Sequence, residues 1–302
     1  MSHPTGPPNA GGPPPEAPVV CVRHPDRATA LRCVRCDRPS CPECLHEASV
    51  GHQCVDCVAA GARGVRRAVT VAGAEPGTRP VMVPILIALN VAMFAWTATQ
   101  ASSIIQNFIV GNFVAPIFDA WALEPALVGE GEWWRVVTSG FLHVGPLHLA
   151  FNMLALWIIG RDLEIVLGRG RFLAVYMVSL LGGSAAVMLF EDASDRVAGA
   201  SGAVFGLMGA LAVVLYRQKA PVGQVLVLIA INFALGLWIN STSTSVSISL
   251  IAHLGGLAVG AAATAALVYA PARNRVAYQA GALGGLAVLL LVLMAVAGSL
   301  TL

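Results

Sequence analysis

The chain has 302 residues, of which 57% are hydrophobic and only 11% charged, against about 25% charged in an ordinary soluble domain. That imbalance excludes a single water-soluble globule, and a net charge of +2 gives no basis for nucleic-acid binding. All seven cysteines lie before residue 58 and the long apolar runs begin after residue 80, so a polar, Cys-rich head precedes a membrane body.

The opening, residues 1–18 (MSHPTGPPNAGGPPPEAP), is rich in Pro and Gly and has no apolar core. It reads as disordered and not as a signal peptide. Residues 19–59 carry Cys21-x-x-His24, Cys33-x-x-Cys36, Cys41-x-x-Cys44 and Cys54-x-x-Cys57. Four close pairs of soft ligands suffice for two tetrahedral zinc sites. A disulfide framework is the rival reading; the odd cysteine count and an expected reducing, cytoplasmic location oppose it. Interleaved pairing resembles the B-box and related cross-braced fingers. It would put Cys21, His24, Cys41 and Cys44 on one ion and Cys33, Cys36, Cys54 and Cys57 on the other, with His46 and His52 as alternative ligands for the second. About 40 residues cannot build an independent core, so the metal is expected to hold the fold. The module's expected role is regulation or binding of a cytoplasmic protein partner. Residues 60–79 have Gly, Ala and Arg without apolar periodicity and predict a flexible basic tether.

A spanning helix needs roughly 20 apolar residues. Seven are predicted, at about 81–99, 147–167, 171–190, 199–216, 222–240, 249–270 and 277–300. Basic residues concentrate on one side: Arg63, Arg66, Arg67 and Arg79; Arg161, Arg169 and Arg171; Arg217 and Lys219; Arg273 and Arg275. The opposite connections hold only Arg135 and Arg196. The excess predicts a cytoplasmic N-terminus and an external C-terminus, in an integral protein expected in a bacterial plasma membrane. The connection 100–146 carries Trp121, Trp133 and Trp134 among Asp119, Glu124, Glu130 and Glu132. Amphipathic rings favour the membrane–water boundary, so it reads as a structured loop partly lying in the outer interface; a plain external loop is the alternative.

Polar residues within the spans are costly and so are functional candidates. His148 and Asn152 are four residues apart and share a helix face. Ser201 sits in Gly199-Ala200-Ser201-Gly202, and His253 is near the outer end of the sixth span. Ser201 precedes Arg217 by about 24 Å of helix and His253 precedes Arg273 by about 30 Å, so both lie toward the outer side. Gly202 with Gly206, and Gly256 with Gly260, are small-xxx-small pairs that let helices approach closely. Asp195 is the last acidic residue, so no carboxylate follows that could orient His253 as in a triad. A Ser201–His253 dyad is the economical reading. His148, Asn152 and the Ser201 backbone N–H are candidate oxyanion donors.

These motifs together resemble the rhomboid family of intramembrane serine proteases. The resemblance rests on Trp134-Arg135, His148-xxx-Asn152, the spaced Glu164, Gly168 and Phe172, the GASG run opened by Gly199, and His253 with Gly256 and Gly260. It covers roughly residues 80–270 and implies an all-α polytopic fold. A six-helix core would cleave membrane-spanning substrates without a catalytic cofactor, and residues 271–302 would add a seventh helix. Ser201, His253, His148, Asn152 and Gly199 are the implied catalytic set. A non-catalytic membrane-helix binding protein of the same fold and a polar-lined transporter are the alternatives. Intact Ser201 and His253 oppose the first, and the clustering of polar residues toward one side opposes the second.

Overall fold

A computed structural model describes residues 17–63, 65, 68–75, 77, 79–100, 115–242 and 247–300. Most of the expected disordered tail falls outside them. The chain forms two compact units that divide between Arg67 and Ala68.

In the first unit, β1 (Leu45–Glu47) pairs antiparallel with β2 (His52–Cys54), with Leu45 opposite Cys54 and Glu47 opposite His52. Helix α1 (Val55–Arg63) follows directly and carries the head past its expected end at 59. What is buried here is sulfur. Cys21, Cys33, Cys41, Cys44 and Cys54 are each at most 4% exposed, while Val19, Val22, Leu31, Val34 and Val50 are all exposed. Among the described residues, a unit whose fully buried side chains are mainly thiols and whose larger aliphatic side chains are exposed or only half-buried has little hydrophobic core to hold it.

The second unit is almost wholly helical. Its long helices are α2 (Met82–Thr99), α6 (Pro146–Leu167), α7 (Arg169–Phe190), α8 (Ser201–Arg217), α9 (Gly223–Thr242), α10 (Leu250–Val268) and α11 (Arg275–Leu300). Three short helices, α3 (Pro116–Trp121), α4 (Pro125–Gly129) and α5 (Arg135–Thr138), order the connection after α2. Among the described residues, α2, α7, α9, α10 and α11 are long and apolar enough to cross a membrane. Helix α6 qualifies only together with Arg135–Phe141, from which it is bent by 93°, because its far end carries Arg161, Asp162 and Glu164. Helix α8 has 17 residues. It rises about 26 Å at 1.5 Å per residue, less than the roughly 30 Å hydrocarbon core.

Helices α7, α8 and α10 form the centre of the bundle, and glycines permit it. A Cβ on Gly256 would collide with the Gly202 carbonyl, and one on Gly260 with the Gly206 carbonyl. The backbones of α8 and α10 therefore touch at the two small-residue pairs read from the sequence. Helix α9 is peripheral, with only Val225 and Gly236 buried. Helix α11 packs on α7.

Glu164 has a structural task. It is 2% exposed, and its carboxylate accepts the backbone N–H groups of Val81, Met82 and Val83 at 2.7, 2.9 and 3.0 Å. These are orphan donors at the start of α2, so one buried carboxylate caps a distant helix. Four residues later Gly168, at φ 81°, makes the reversal from α6 into α7 in a conformation that Cβ-bearing residues avoid. Phe172 is then fully buried.

The expected tether needs correction. Ala72 is fully buried within the main core and Val71 packs against it. Gln279 of α11 donates to the Ala72 carbonyl at 3.0 Å and to the Leu267 carbonyl at 2.8 Å. Small side chains fit beside a buried amide that needs acceptors, so residues 68–75 belong to the second unit.

Candidate active site

Helix α8 begins at Ser201, with Ala200 as its N-cap. Helix α10 carries His253 one turn in from its own N-cap, Ser249. The close approach of the two helices brings Ser201 Oγ to 2.9 Å from His253 Nε2 across 52 residues of sequence. That is hydrogen-bond distance for a hydroxyl and its base. His253 is 7% exposed. Its Nδ1 is buried and has no hydrogen-bond partner among the described residues, so no carboxylate stands behind the imidazole.

The ring is held by aromatics instead. Phe205 lies parallel to His253, with centroids 4.1 Å apart and planes at 12°. Phe233 of α9 meets it edge-on at 6.3 Å. The sequence reading missed both. A signal existed for Phe205, which is four residues after Ser201 and on the same helical face; Phe233 lacks any such cue.

The first backbone bond of α8 runs from the Val204 N–H to the Ala200 carbonyl at 3.0 Å. The N–H groups of Ser201, Gly202 and Ala203 are therefore left at the helix's positive end without intrahelical acceptors. Gly199, at φ 139°, delivers the chain into this turn, and its N–H is fixed on the Ser139 carbonyl at 2.9 Å. A Cβ at Gly199 would lie 2.9 Å from His148 Nε2 and 3.6 Å from Ser201 Oγ. So His148, Gly199 and Ser201 surround one small space. Asn152, 6% exposed, donates one amide hydrogen to the His148 carbonyl at 2.9 Å; its second amide hydrogen remains for a ligand. His143 also escaped the sequence reading, because it stands in the non-helical lead into α6. It is fully buried, and its ring centroid is 5.1 Å from that of His148.

The connection after α2 braces this end of the bundle. Arg135 is 4% exposed. It pairs with Glu132 at 2.6 Å and donates to the Asp119 and Ala122 carbonyls at 2.6 and 2.7 Å. Leu123 bridges Val197 in antiparallel fashion, and Arg196 pairs with Asp119 and Glu124. The loop thus holds the segment that leads to Gly199. Trp134 is 50% exposed and donates from its indole to the Ala120 carbonyl at 3.0 Å. Glu191, at the end of α7, accepts from the Ser249 hydroxyl. Burial pushes its carboxyl above the ordinary carboxylate range. It meets the start of α10 but does not reach His253.

In the head the eight proposed ligands fall into two groups, Cys21, His24, Cys41, Cys44 and Cys33, Cys36, Cys54, Cys57. Within each, all four ligand atoms lie within 4.8 Å of one another. His24 Nδ1 is 3.3, 3.4 and 3.9 Å from the sulfurs of Cys41, Cys44 and Cys21, and the Cys36 and Cys54 sulfurs are 3.7 Å apart. A tetrahedron with metal–sulfur bonds of about 2.3 Å has edges of about 3.8 Å, so the residues present fit a tetrahedral ion. The Cys54 N–H donates to Cys33 Sγ at 3.2 Å and helps pull that thiol down to about 6. His46 and His52 are exposed on the two strands and belong to neither group.

Residues 130–270 match the family model for the Rhomboid domain. Rhomboid protease GluP of Bacillus subtilis (strain 168) is 36% identical over 194 residues, which are 63% of this chain and 35% of that protein. RHOMBOID-like protein 5 of Arabidopsis thaliana is 33% identical over 207 residues, 59% of this chain and 65% of that protein. Rhomboid protease AarA of Providencia stuartii is 29% identical over 221 residues, 64% of this chain and 74% of that protein. The chain thus spans about a third of GluP and about two thirds of RHOMBOID-like protein 5. These matches support placement in the rhomboid family.

Proposed function

We propose that this rhomboid-like chain is an intramembrane serine endopeptidase that cleaves transmembrane segments of other proteins through a Ser201–His253 dyad. The 2.9 Å contact between Ser201 Oγ and His253 Nε2 carries the reading. Ser201 Oγ attacks the scissile carbonyl carbon while its proton passes to His253 Nε2. The oxyanion formed is met by the free N–H groups at the start of α8, by the spare amide hydrogen of Asn152 and by His148. Collapse of the intermediate breaks the C–N bond, and His253 gives its proton to the leaving amine. Water, deprotonated by the same imidazole, then attacks the acyl-Ser201 carbonyl; His253 returns the proton to Ser201 Oγ and the carboxyl product leaves.

Stacking on Phe205 does for His253 what a carboxylate does in a triad: it fixes the ring plane. A carboxylate would also stabilise the imidazolium, and this site forgoes that contribution. The short reach of α8 puts Ser201 below one membrane surface. By the charge asymmetry that surface is the outer one and the head is cytoplasmic. Two zinc ions, each held by one of the four-ligand groups, would give the head its fold.

The test compares Ser201→Ala, His253→Ala and the double variant on a transmembrane substrate in proteoliposomes. All three are expected at the same background rate, since members of one catalytic unit are not additive. Retained cleavage by Ser201→Ala would overturn the mechanism.

A further inference from the structure

The end of the bundle away from Ser201 holds a feature that proteolysis does not use. A cleft of about 820 Å³ lies between Gly73, Ala74, Glu75, Gly77 and Arg79, the turn from α6 into α7, and the start of α11. Arg79, Arg169 and Arg171 line it. Arg79 and Arg169 have no ion pair or side-chain hydrogen bond among the described residues, and Arg171 spends only its Nε, on Gln279 at 2.7 Å. A fourth arginine, Arg275, lies across Gly73 of the same cleft, with its Nε buried and unpartnered. Two carboxylates, Glu75 and Glu164, are also in the lining, but Glu164 is consumed by the three N–H groups of α2. Against the carboxylates of Glu75 and Glu164, the three lining arginines and Arg275 beside them leave the site net positive.

Backbone adds to it. The first bond of α7 runs from the Phe172 N–H to the Gly168 carbonyl, so three N–H groups precede it at the helix's positive end. Gly170, among them, faces open space. Beyond the arginines the lining turns apolar, with Ile165, Ala280 and Leu283. A polar anion alone has no use for that half of the cleft. An amphiphile with a phosphate at one end fills both.

We propose that this cleft binds an anionic phospholipid, with its headgroup phosphate on the arginines and the upper part of an acyl chain along Ile165, Ala280 and Leu283. Basic pockets between spanning helices at a membrane surface suit such headgroups. Bound there, the lipid would clamp Gly73 and Arg79 to the turn between α6 and α7 and to α11.

Native mass spectrometry of the full chain in detergent tests this, with phosphatidylglycerol, phosphatidylcholine and inorganic phosphate as separate probes. Saturable binding of phosphatidylglycerol in preference to phosphatidylcholine is expected. Arg79→Ala with Arg169→Ala should weaken it roughly 30-fold, taking about fivefold per arginine. Gly170→Asp is a second probe. It puts a carboxylate into the open space, at a helix position where an acid favours folding, and should also weaken lipid binding. Fluorophosphonate labelling of Ser201 in each variant reports that the fold is intact. Equal binding of the two lipids, or undiminished binding in both variants, would overturn the site. Displacement of the lipid by inorganic phosphate at equal concentration would overturn the assignment to a lipid.

Discussion

The two units solve the same problem with opposite materials. The head buries sulfur and leaves Val19, Val22, Val34 and Val50 exposed, so on our reading its order depends on an ion held within each four-ligand group. The body buries ionisable groups only singly, Arg135, His143, Glu164 and His253 among them, and gains its order where glycines let α8 and α10 touch. In the head, ligand chemistry creates the fold. In the body, close packing creates the proposed site, because Ser201 and His253 meet where the two backbones are in contact. A single lost ligand should therefore be fatal to one unit and irrelevant to the other, and a single added methyl group the reverse.

The largest expected effect comes from stripping metal. Structural zinc contributes on the order of 10 kcal/mol or more to such modules. Chelation, or Cys33→Ser, should unfold the head, seen as loss of amide dispersion in NMR spectra, while fluorophosphonate labelling of the body persists. Metal analysis of the intact chain should give two zinc ions; fewer would break the two-site arrangement. Removal of residues 1–67 should likewise leave labelling intact, whereas a cut at 75 should destabilise the body by deleting Ala72.

Gly260→Val sharpens the other side. It drives a side chain into the Gly206 carbonyl and should cost on the order of 3 kcal/mol, the upper end of the usual overpacking range, read as a lower unfolding midpoint of the body, with labelling lost alongside. The metal content of the head should not change. A variant that stays fully stable and reactive would contradict the claim that helix contact creates the site.

Smaller effects probe the site itself. Asn152→Ala removes one oxyanion donor and should slow cleavage by about 10²–10³-fold. Phe205→Leu keeps an apolar side chain but loses the flat face under His253; a fall in kcat on the order of tenfold is expected, with KM little changed. Unaltered kcat would show that stacking does not orient the imidazole.

The head was legible because its ligands come in local pairs, and the expected cross-brace matches the two groups that the fold assembles. The seven long helices were also legible, since apolar runs of that length declare themselves. What stayed hidden depends on tertiary placement. Glu164 stood out in the sequence as part of the spaced Glu-Gly-Phe pattern, yet it is buried as a cap for α2, and nothing in its neighbourhood along the chain announces residues 81–83. Residues 68–75 read as linker because the two buried alanines, Ala72 and Ala74, give no periodic signal, although Ala72 lies in the core against Gln279. Ser201 and His253 stood out because polar groups in lipid are costly. Phe205, which stacks on His253, did not, because its only cue was its spacing of four residues from Ser201, and a phenylalanine in an apolar helix is otherwise unremarkable.

The most direct measurement is a fluorophosphonate adduct mapped by mass spectrometry on the full chain in detergent, wild type beside His253→Ala. One adduct on Ser201 is expected, with labelling falling to background in the variant because the hydroxyl has lost its base. An adduct on another residue, or labelling of Ser201 that persists undiminished without His253, would contradict the dyad.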